Sequence, residues 1–385
     1  MRSLILKWSG LEQSPHVVNL ANLLSSAGVG VTLASVEPGA RPADLKADVE
    51  LLSLRSASGA GTRKLLALLK LAPKLRSLVR EKRPDFVHVI DSWTLPLPFV
   101  ATLGRFRWAG SQFVYQTYDW LEPGLHNPIH LWYEKRACRA ASLVINVDRS
   151  RARLVQTLYG LKAMPFWLPN FPNQSGVRPP RDLKLRDELL GPGGRYLVIC
   201  PSAASPARLH LEVLRAFQML PDAYSLVTFK SRSAYFDSCA DLVRTAGLEA
   251  RVKFLDPVPY QVWEKYVACA DIGIVLNDWK RTAGYWLANS GRLATLLACG
   301  VPVVASDVPN LEAVVYKWRL GTCCAAHDPS DIARAIREVA EDGPGLEERR
   351  ALIRDAVARE LYFERQGDQL VRTLEGLCHH PSGRE

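Results

Sequence analysis

The 385-residue sequence lacks the features that mark several large classes of protein. No run of about 18 apolar residues is present, so no membrane-spanning helix is expected. The start, MRSLILKWSG, soon turns polar and is too short for a signal peptide. The eight cysteines form no CxxC pair, which favours buried thiols in a reducing compartment over a zinc site or disulfides. The cytoplasm is therefore the expected location.

Several catalytic motifs are also missing. No GxGxxG follows the first strand, which argues against a dinucleotide oxidoreductase, and no GxxxxGK[ST] is present for a P-loop ATPase. The sequence has neither the HExxH of zinc proteases nor the GxSxG of serine hydrolases. Nucleotide-linked group transfer without a bound metal is the chemistry that these exclusions leave.

The positive charge is unevenly distributed. The net charge is +10, yet residues 1–170 hold 22 basic and 12 acidic side chains, whereas the remainder holds 27 of each. The excess therefore lies in the first half of the chain, which indicates an anionic partner for one domain.

Strands and helices alternate along the chain, which predicts parallel sheets covered by helices on both faces. The apolar runs predict strands at 4–7, 31–35, 86–90, 113–117 and 143–147, and again at 196–200, 225–229, 252–255, 272–276 and 301–305. Right-handed crossovers then give an α/β protein with two tandem Rossmann-like, doubly wound parallel-sheet domains. Two such domains are expected to face each other across a cleft.

The predicted boundaries follow composition. Residues 1–170 form the first domain, 171–194 a linker rich in Pro, Asn, Gly and charge, and 195–357 the second domain. An amphipathic helix at about 358–378 is expected to pack back on the first domain. Ligands bind doubly wound sheets at the carboxyl ends of the strands, and helix N-termini there attract phosphate.

The segment from Asn289 to Glu312, NSGRLATLLACGVPVVASDVPNLE, resembles the donor-binding segment of GT-B glycosyltransferases. The similarity is to the retaining group 1 enzymes, of the family 4 type, and five shorter matches occur in the same order as in that family. They are Arg83-Pro-Asp-Phe-Val-His88, Phe113-Val-Tyr-Gln-Thr-Tyr-Asp119, Leu168-Pro-Asn170, Ala270-Asp271 and Asp328-Pro329.

The resemblance implies a donor site at the turn before the helix in this segment. Asn289, Ser290 and Gly291 would face the donor's diphosphate, with the Arg292 fork adding bidentate contacts. Ser and Asn are also preferred N-caps, so simple capping of this helix is an alternative. Lys280 and Arg281, after the strand at 272–276, are further candidates for phosphate.

Arg208 matches one of two cations that, in the family, stabilise the leaving diphosphate. A solvated surface charge is the other interpretation of Arg208. The partner cation is replaced by Ala203, and the two glutamates that the family uses for sugar and ribose hydroxyls are replaced by Leu287 and Thr295. These departures leave open a degraded donor site.

On the acceptor side, His16 opens the first predicted helix and Asp119 follows the strand at 113–117. His16 is expected either to contact a phosphate or an acceptor hydroxyl, or to be purely structural. Asp119 is a candidate for an acceptor-side role, since carboxylates at strand ends line such clefts. Glu134, in the same domain, is interpreted as an ion-pairing helix residue.

The segment Arg63–Arg83 carries eight Lys or Arg and one Glu, with leucines at helical spacing. Packing on its own sheet would explain the leucines, but the cations favour an anionic membrane surface. Nucleic acid is not favoured, because no groove-reading or stacking module is present.

Together these features predict a glycosyltransferase that moves a sugar from a UDP- or GDP-linked donor to a glycan or lipid-linked acceptor. The resemblance implies a retaining reaction, and the missing motifs favour one without a bound metal or cofactor. The basic segment Arg63–Arg83 adds an expected peripheral location at the inner face of a membrane. One alternative is a catalytically inactive GT-B protein that binds or scaffolds a partner, and another is a sugar epimerase.

Overall fold

The computed structural model describes residues 1–11, 14–37, 39–54, 62–119, 121–174, 179–287, 290–341 and 345–379, without the side chains of 62–65 and 260–261. The chain divides into two compact units, Met1–Pro169 with Phe363–Glu385, and Asn170–Tyr362. None of the described helices is long and apolar enough to cross a membrane.

The N-terminal unit is a seven-stranded sheet with strand order β3-β2-β1-β4-β5-β6-β7, and the pairs between its neighbouring strands are parallel. Its elements are β1 (Arg2–Lys7), α1 (Pro15–Ser26), β2 (Gly30–Ser35), β3 (Glu50–Ser53), α2 (Thr62–Lys82), β4 (Phe86–Ile90), α3 (Pro96–Ala101), β5 (Gln112–Thr117), α4 (Pro128–Ala140), β6 (Leu143–Asn146), α5 (Arg149–Tyr159) and β7 (Phe166–Trp167).

The C-terminal unit is a six-stranded parallel sheet with strand order β10-β9-β8-β11-β12-β13. Its elements are α6 (Leu183–Leu189), β8 (Tyr196–Ala203), α7 (His210–Gln218), β9 (Tyr224–Phe229), α8 (Ala234–Thr245), β10 (Val252–Leu255), α9 (Tyr260–Cys269), β11 (Ile272–Val275), α10 (Gly291–Ala298), β12 (Val303–Ser306), α11 (Pro309–Lys317), β13 (Gly321–Cys324), α12 (Pro329–Glu341) and α13 (Leu346–Arg359).

The predicted fold class is confirmed, because both units are parallel sheets between helical layers. Near-continuous apolar strands make this possible, since each sheet is covered on both faces. The strand Phe86–Ile90, for instance, is buried at every position. The eight cysteines are free, and six of them are buried, as thiols in apolar surroundings.

The C-terminal helix α14 (Phe363–His379) packs in the N-terminal unit against α1. The approach is close at Gly367, where a Cβ atom would lie 2.6 Å from the Leu23 side chain. A larger residue at that position would require the Leu23 side chain to move, so glycine favours this close helix–helix contact. Its first residue is Phe363, five residues later than the predicted start.

The range 171–194, expected to be a linker, differs from that expectation. Asp182 caps α6 by accepting a hydrogen bond from the Leu185 amide at 3.0 Å. Arg186 forms a 2.7 Å ion pair with Asp271, which is buried in the C-terminal unit. The α6 part of this range is therefore attached to the C-terminal unit by a capped helix and an ion pair. Composition alone does not indicate either contact.

Candidate functional site

Two arginines converge at the carboxyl edge of the C-terminal sheet, where β8 and β11 are neighbours and the direction of the crossovers reverses. Arg208 and Arg292 both donate hydrogen bonds to Oδ1 of Asn277, the latter at 2.7 Å. Arg292 also donates to the Leu276 carbonyl at 2.8 Å. Such a switch point is where doubly wound sheets bind ligands.

Asn277 is held rigidly beneath the two guanidinium groups. Its amide donates to Oγ of Ser306 at 2.9 Å, which links the ends of β11 and β12. The next residue, Asp278, donates its amide to the Ala207 carbonyl at 3.1 Å and accepts a 2.8 Å contact from His327. The loops after β8 and β11 are therefore joined directly below the arginines.

Arg292 is buried, and its charge is poorly compensated. Burial and the neighbouring Arg208 guanidinium lower its pKa to about 9. Within the described ranges, neither arginine forms an ion pair with a carboxylate, and Nε and Nη1 of Arg292 have no hydrogen-bond partner. Buried charges in proteins are ordinarily paired, so this edge is electrostatically incomplete.

The turn before α10 is capped as its sequence indicates. Oγ of Ser290 accepts a hydrogen bond from the Arg292 amide at 3.2 Å. A Cβ atom on Gly291 would lie 3.3 Å from Nδ2 of Asn170. Ser290 therefore caps α10, as one of the two interpretations expected. The Arg292 side chain is directed at Asn277. Asn289 lies outside the described residues.

Lys280 and the three positions where the chain departs from the family pattern make contacts of other kinds. Lys280 is exposed, with its ammonium group 5.6 Å from the centre of the Trp279 ring. Ala203 ends β8, Leu287 follows a short 3₁₀ turn, and the Thr295 hydroxyl donates to a carbonyl within its own helix. Arg208, in contrast, is half-buried, so the interpretation as a solvated surface charge is wrong.

A buried pair supports the loop that carries Arg208. Nε2 of His210 lies 3.5 Å from Sγ of Cys200, and its Nδ1 lies 3.2 Å from the Ser205 amide nitrogen and 3.3 Å from the Ser205 carbonyl oxygen. Burial would raise the pKa of the Cys200 thiol, but the His210 charge outweighs it and brings that pKa to about 7. Directly after Arg208, Leu209 has φ of 56°, and this left-handed residue turns the chain into α7.

The corresponding edge of the N-terminal sheet, at the switch point between β1 and β4, has a balanced charge. Nζ of Lys7, at the end of β1, lies 2.9 Å from Oδ2 of Asp91, directly after β4. The other oxygen of Asp91 accepts from the Tyr118 amide at 3.0 Å. Asp91 has φ of 62° and ψ of 152°, a combination that is nearly confined to glycine and that clusters at functional sites when other residues adopt it.

His16 lies beside this ion pair at the start of α1. Its ring contacts the Tyr118 ring, with centres 3.8 Å apart. Burial, assisted by Lys7 and opposed by Asp91, lowers the pKa of His16 to about 3, so the imidazole is neutral. Its Nε2 atom is buried and has no hydrogen-bond partner among the residues that the structure describes.

Asp119 is exposed, one residue after the Tyr118 ring that contacts His16. Asp91 is the strand-end carboxylate that pairs with Lys7 near His16, and sequence reasoning missed both Asp91 and Lys7. The signal was available, because Asp91 also directly follows a buried strand. What could not be seen is that β4, and not β5, lies next to β1.

The interpretation of Glu134 as an ion-pairing helix residue is wrong. Glu134 lies on the inner face of α4 and accepts hydrogen bonds from the hydroxyls of Tyr115 at 2.8 Å and Tyr159 at 2.5 Å. Burial raises its pKa to about 7, against the effect of the two hydroxyls. Its role is therefore inside the core of the unit.

Comparisons with known proteins agree with this architecture. Residues 13–170 match the Glycosyl transferase 4-like domain, and residues 182–359 match the domain of Glycosyl transferases group 1. A curated relative, D-inositol 3-phosphate glycosyltransferase 2 of Catenulispora acidiphila, is 34% identical over 25% of this chain and 21% of its own length. The chain thus matches only about a fifth of that relative.

Two solved structures share the fold over nearly the whole chain. Sucrose-phosphate synthase from Thermosynechococcus elongatus has a TM-score of 0.76 at 17% identity, covering 99% of this chain and 100% of that one. HepE from Anabaena, solved with UDP-glucose, has a TM-score of 0.76 at 19% identity, covering 98% and 100%. The GT-B fold expected from the sequence is confirmed, and the chain belongs to the group 1 glycosyltransferases.

Proposed function

We propose that the protein transfers a sugar from a nucleotide diphosphate sugar, with UDP as the first candidate carrier, to a glycan or lipid-linked acceptor. One observation carries the proposal: Arg208 and Arg292 meet at Asn277 without a carboxylate counter-ion among the described residues. A diphosphate supplies the missing negative charge. HepE, of the same fold, is described in complex with UDP-glucose, which supports the choice of UDP.

The arginine pair compensates for the second cation of the family pattern, which Ala203 replaces in this chain. Arg292, from α10, would take the place of that cation beside Arg208. Nε and Nη1 of Arg292 are buried donors without a hydrogen-bond partner among the described residues, and phosphate oxygens can satisfy them. Two cations are thus available for one diphosphate.

The arginines would act on the leaving group. As the bond between the anomeric carbon and the diphosphate oxygen breaks, negative charge develops on that oxygen, where fixed cations in a buried site stabilise it most. The anomeric carbon bonds to the acceptor oxygen, and the acceptor proton passes to the leaving phosphate. The family resemblance supports retention, and the use of arginine charge at the leaving group supports independence from a metal.

The edge with His16 suits the acceptor. A neutral imidazole with an unpartnered nitrogen can form a hydrogen bond with a sugar hydroxyl without carrying charge. The adjacent Asp91 is fixed by Lys7 and the Tyr118 amide, so it can accept a second hydroxyl in a defined direction. Asp119 remains a candidate at the next strand end.

The exposed face of α2 supports peripheral association with the cytoplasmic face of an anionic membrane. Leu66 and Leu69 are 57% and 55% exposed, and Lys70, Lys74 and Arg80 are also exposed. Leucines and cations on one solvent-facing helix favour a lipid surface. The side chain of Arg63, the first cation of the predicted segment, lies outside the described residues.

A thermal-shift screen against UDP, GDP, ADP, dTDP and their sugar conjugates tests the donor site. A ligand at 100 times its Kd raises the free energy of unfolding by about 2.7 kcal/mol, which is readily seen. We expect one diphosphate to stabilise the protein, and Arg292→Ala to abolish the shift. Arg337→Ala, which removes an exposed arginine of the same unit, is the matched control and should keep it.

A binding or scaffold protein without catalysis is the competing function, favoured by the replacement of two expected glutamates with Leu287 and Thr295. If no nucleotide shifts the melting temperature, the result would contradict the transferase proposal and favour a scaffold protein. A shift that survives in Arg292→Ala would contradict the role of the arginine pair while keeping a nucleotide site.

A further inference from the structure

A cationic pocket lies in the N-terminal unit between α4 and the loop that follows α3. Its volume is about 540 Å³. The residues that line it include Arg105, Arg107, Trp132, Lys135, Arg136 and Arg139, with no carboxylate among the lining residues. In the described part of the chain, none of these five cations forms an ion pair. The pocket is therefore complementary to a negatively charged ligand.

The helix α4 builds one wall of the pocket, because positions 132, 135, 136 and 139 share a helix face. Nε of Arg136 donates to the Gly104 carbonyl at 2.7 Å, and Nε of Arg139 donates to the Tyr159 carbonyl at 2.8 Å. The guanidinium groups are thus oriented by backbone contacts. Preorganised cations of this kind favour binding of an anion over mere surface screening.

The opposite wall is a loop that displays a leucine to solvent. Leu103 is 78% exposed and has φ of 53°, an unfavourable conformation for its side-chain type. The loop is fixed by hydrogen bonds of 2.8 Å from the Gly104 amide to the Phe99 carbonyl and from the Phe106 amide to the Thr102 hydroxyl. The leucine is therefore held outward by a rigid turn.

Exposed apolar side chains at the same place define the kind of anion. Trp132, which lines the pocket, is 51% exposed, and Leu103 precedes the lining residue Arg105 by two positions. A soluble phosphate offers nothing to either side chain. An anionic phospholipid in a leaflet offers both a phosphate and an apolar boundary layer, where Trp and Leu residues partition.

We infer that this pocket binds the phosphate of an anionic phospholipid, with Leu103 and Trp132 entering the boundary between headgroups and acyl chains. The inference rests on the membrane contact proposed for α2, and it is independent of the transfer reaction. The α3 helix connects the two regions, since Nε of Arg76 in α2 donates to the Ala101 carbonyl at 2.5 Å. Cations and apolar groups thus recur across adjoining elements.

Vesicle binding of the full chain tests the cations. The vesicles contain equimolar phosphatidylcholine and phosphatidylglycerol, with pure phosphatidylcholine as the reference. We expect the double variant Arg105→Gln/Arg107→Gln to bind about 25-fold more weakly, at about fivefold per cation. The control double variant Lys162→Gln/Arg372→Gln removes two exposed cations of the same unit and should bind like wild type.

Leu103→Asn tests the apolar contact without risk to the fold. Asparagine tolerates positive φ better than leucine, so the melting temperature should hold or rise. Loss of one exposed leucine from the lipid boundary should weaken vesicle binding about tenfold. A structural role of Leu103 would instead lower the melting temperature.

The outcomes separate the proposals. If Lys70→Gln/Lys74→Gln abolishes vesicle binding while the Arg105/Arg107 variant binds like wild type, the pocket is not a lipid site, although α2 still contacts membranes. Pocket-dependent binding of glycerol 1-phosphate or of a single-stranded RNA, with vesicle binding unaffected by Leu103→Asn, would replace the lipid with a soluble ligand or a nucleic acid. Absence of wild-type vesicle binding would overturn both membrane proposals and leave the transfer reaction untouched.

Discussion

At the carboxyl edge of the N-terminal sheet Lys7 and Asp91 form an ion pair, whereas at the same edge of the C-terminal sheet Arg208 and Arg292 meet without a carboxylate in the described ranges. The N-terminal edge also keeps His16 neutral. The charges at the N-terminal edge neutralise each other, whereas the C-terminal edge requires an added anion to neutralise its arginines. The two sheets share an architecture, so the difference must come from a few side chains at strand ends.

Catalysis should show the largest effect of this contrast. With the donor identified, Arg208→Ala is expected to lower kcat about 10²- to 10³-fold, because a fixed charge next to the leaving group is lost. Arg208→Lys should recover part of that activity, since it keeps the charge and loses the fork. Release of the nucleoside diphosphate measures both. A loss of less than about threefold on removal of a transition-state donor of this kind would contradict the assignment.

Breaking the balanced edge should cost stability. Asp91→Asn leaves Lys7 buried without its partner, and we expect the free energy of unfolding to fall by about 3 kcal/mol, the lower end for a buried pair because Asp91 is partly exposed. Asparagine tolerates the positive φ, so the charge alone is tested. Asp119→Asn, at the next strand end, should change stability by no more than about 0.5 kcal/mol. Urea unfolding measures both variants.

The pH dependence of stability should show a contribution from Glu134, which lies in the N-terminal unit. Burial raises the folded-state pKa of Glu134 to about 7, so the protonated form is favoured by folding. Its contribution is fully present below the ordinary pKa of a glutamate and is lost as the pH rises through about 7, on the order of 3 kcal/mol. Glu134→Gln should flatten this part of the curve, and Glu375→Gln, at an exposed position, should leave it unchanged.

Removal of charge at the arginine pair of the C-terminal sheet should lower the free energy of unfolding least, or should raise it. Arg292→Met removes a buried charge that lies next to another cation and substitutes an apolar chain of similar length. We expect the unfolding free energy without ligand to stay within about 1 kcal/mol of wild type or to rise above it. A loss as large as that of Asp91→Asn would mean that Arg292 is structural.

Much of the fold was predictable because apolar runs mark buried parallel strands. The strands Phe86–Ile90 and Val252–Leu255 have the predicted bounds. The strands Glu50–Ser53 and Gly321–Cys324 were missed, since the first is half exposed at the sheet edge and the second has no run of large apolar residues. Pairing with a neighbour, which sequence does not display, makes them strands.

The site was predicted by residue type and only partly by position. Arg208 and Arg292 were identified through the family resemblance, but Asn277, which joins them, carries no motif. Asp91 was missed because its role depends on strand order. Glu134 was misjudged since one helix residue in a charged stretch gives no sign of facing the core. Long-range neighbours decide all three cases.

The helix α14 has a consequence for how the protein is made. The first 169 residues leave the ribosome without Phe363, Leu370 and Leu374, which are buried in their core. The C-terminal unit, in contrast, is continuous and can finish as soon as residue 362 has emerged. The N-terminal unit therefore begins to emerge before the C-terminal unit but can be completed only after it, when α14 covers α1.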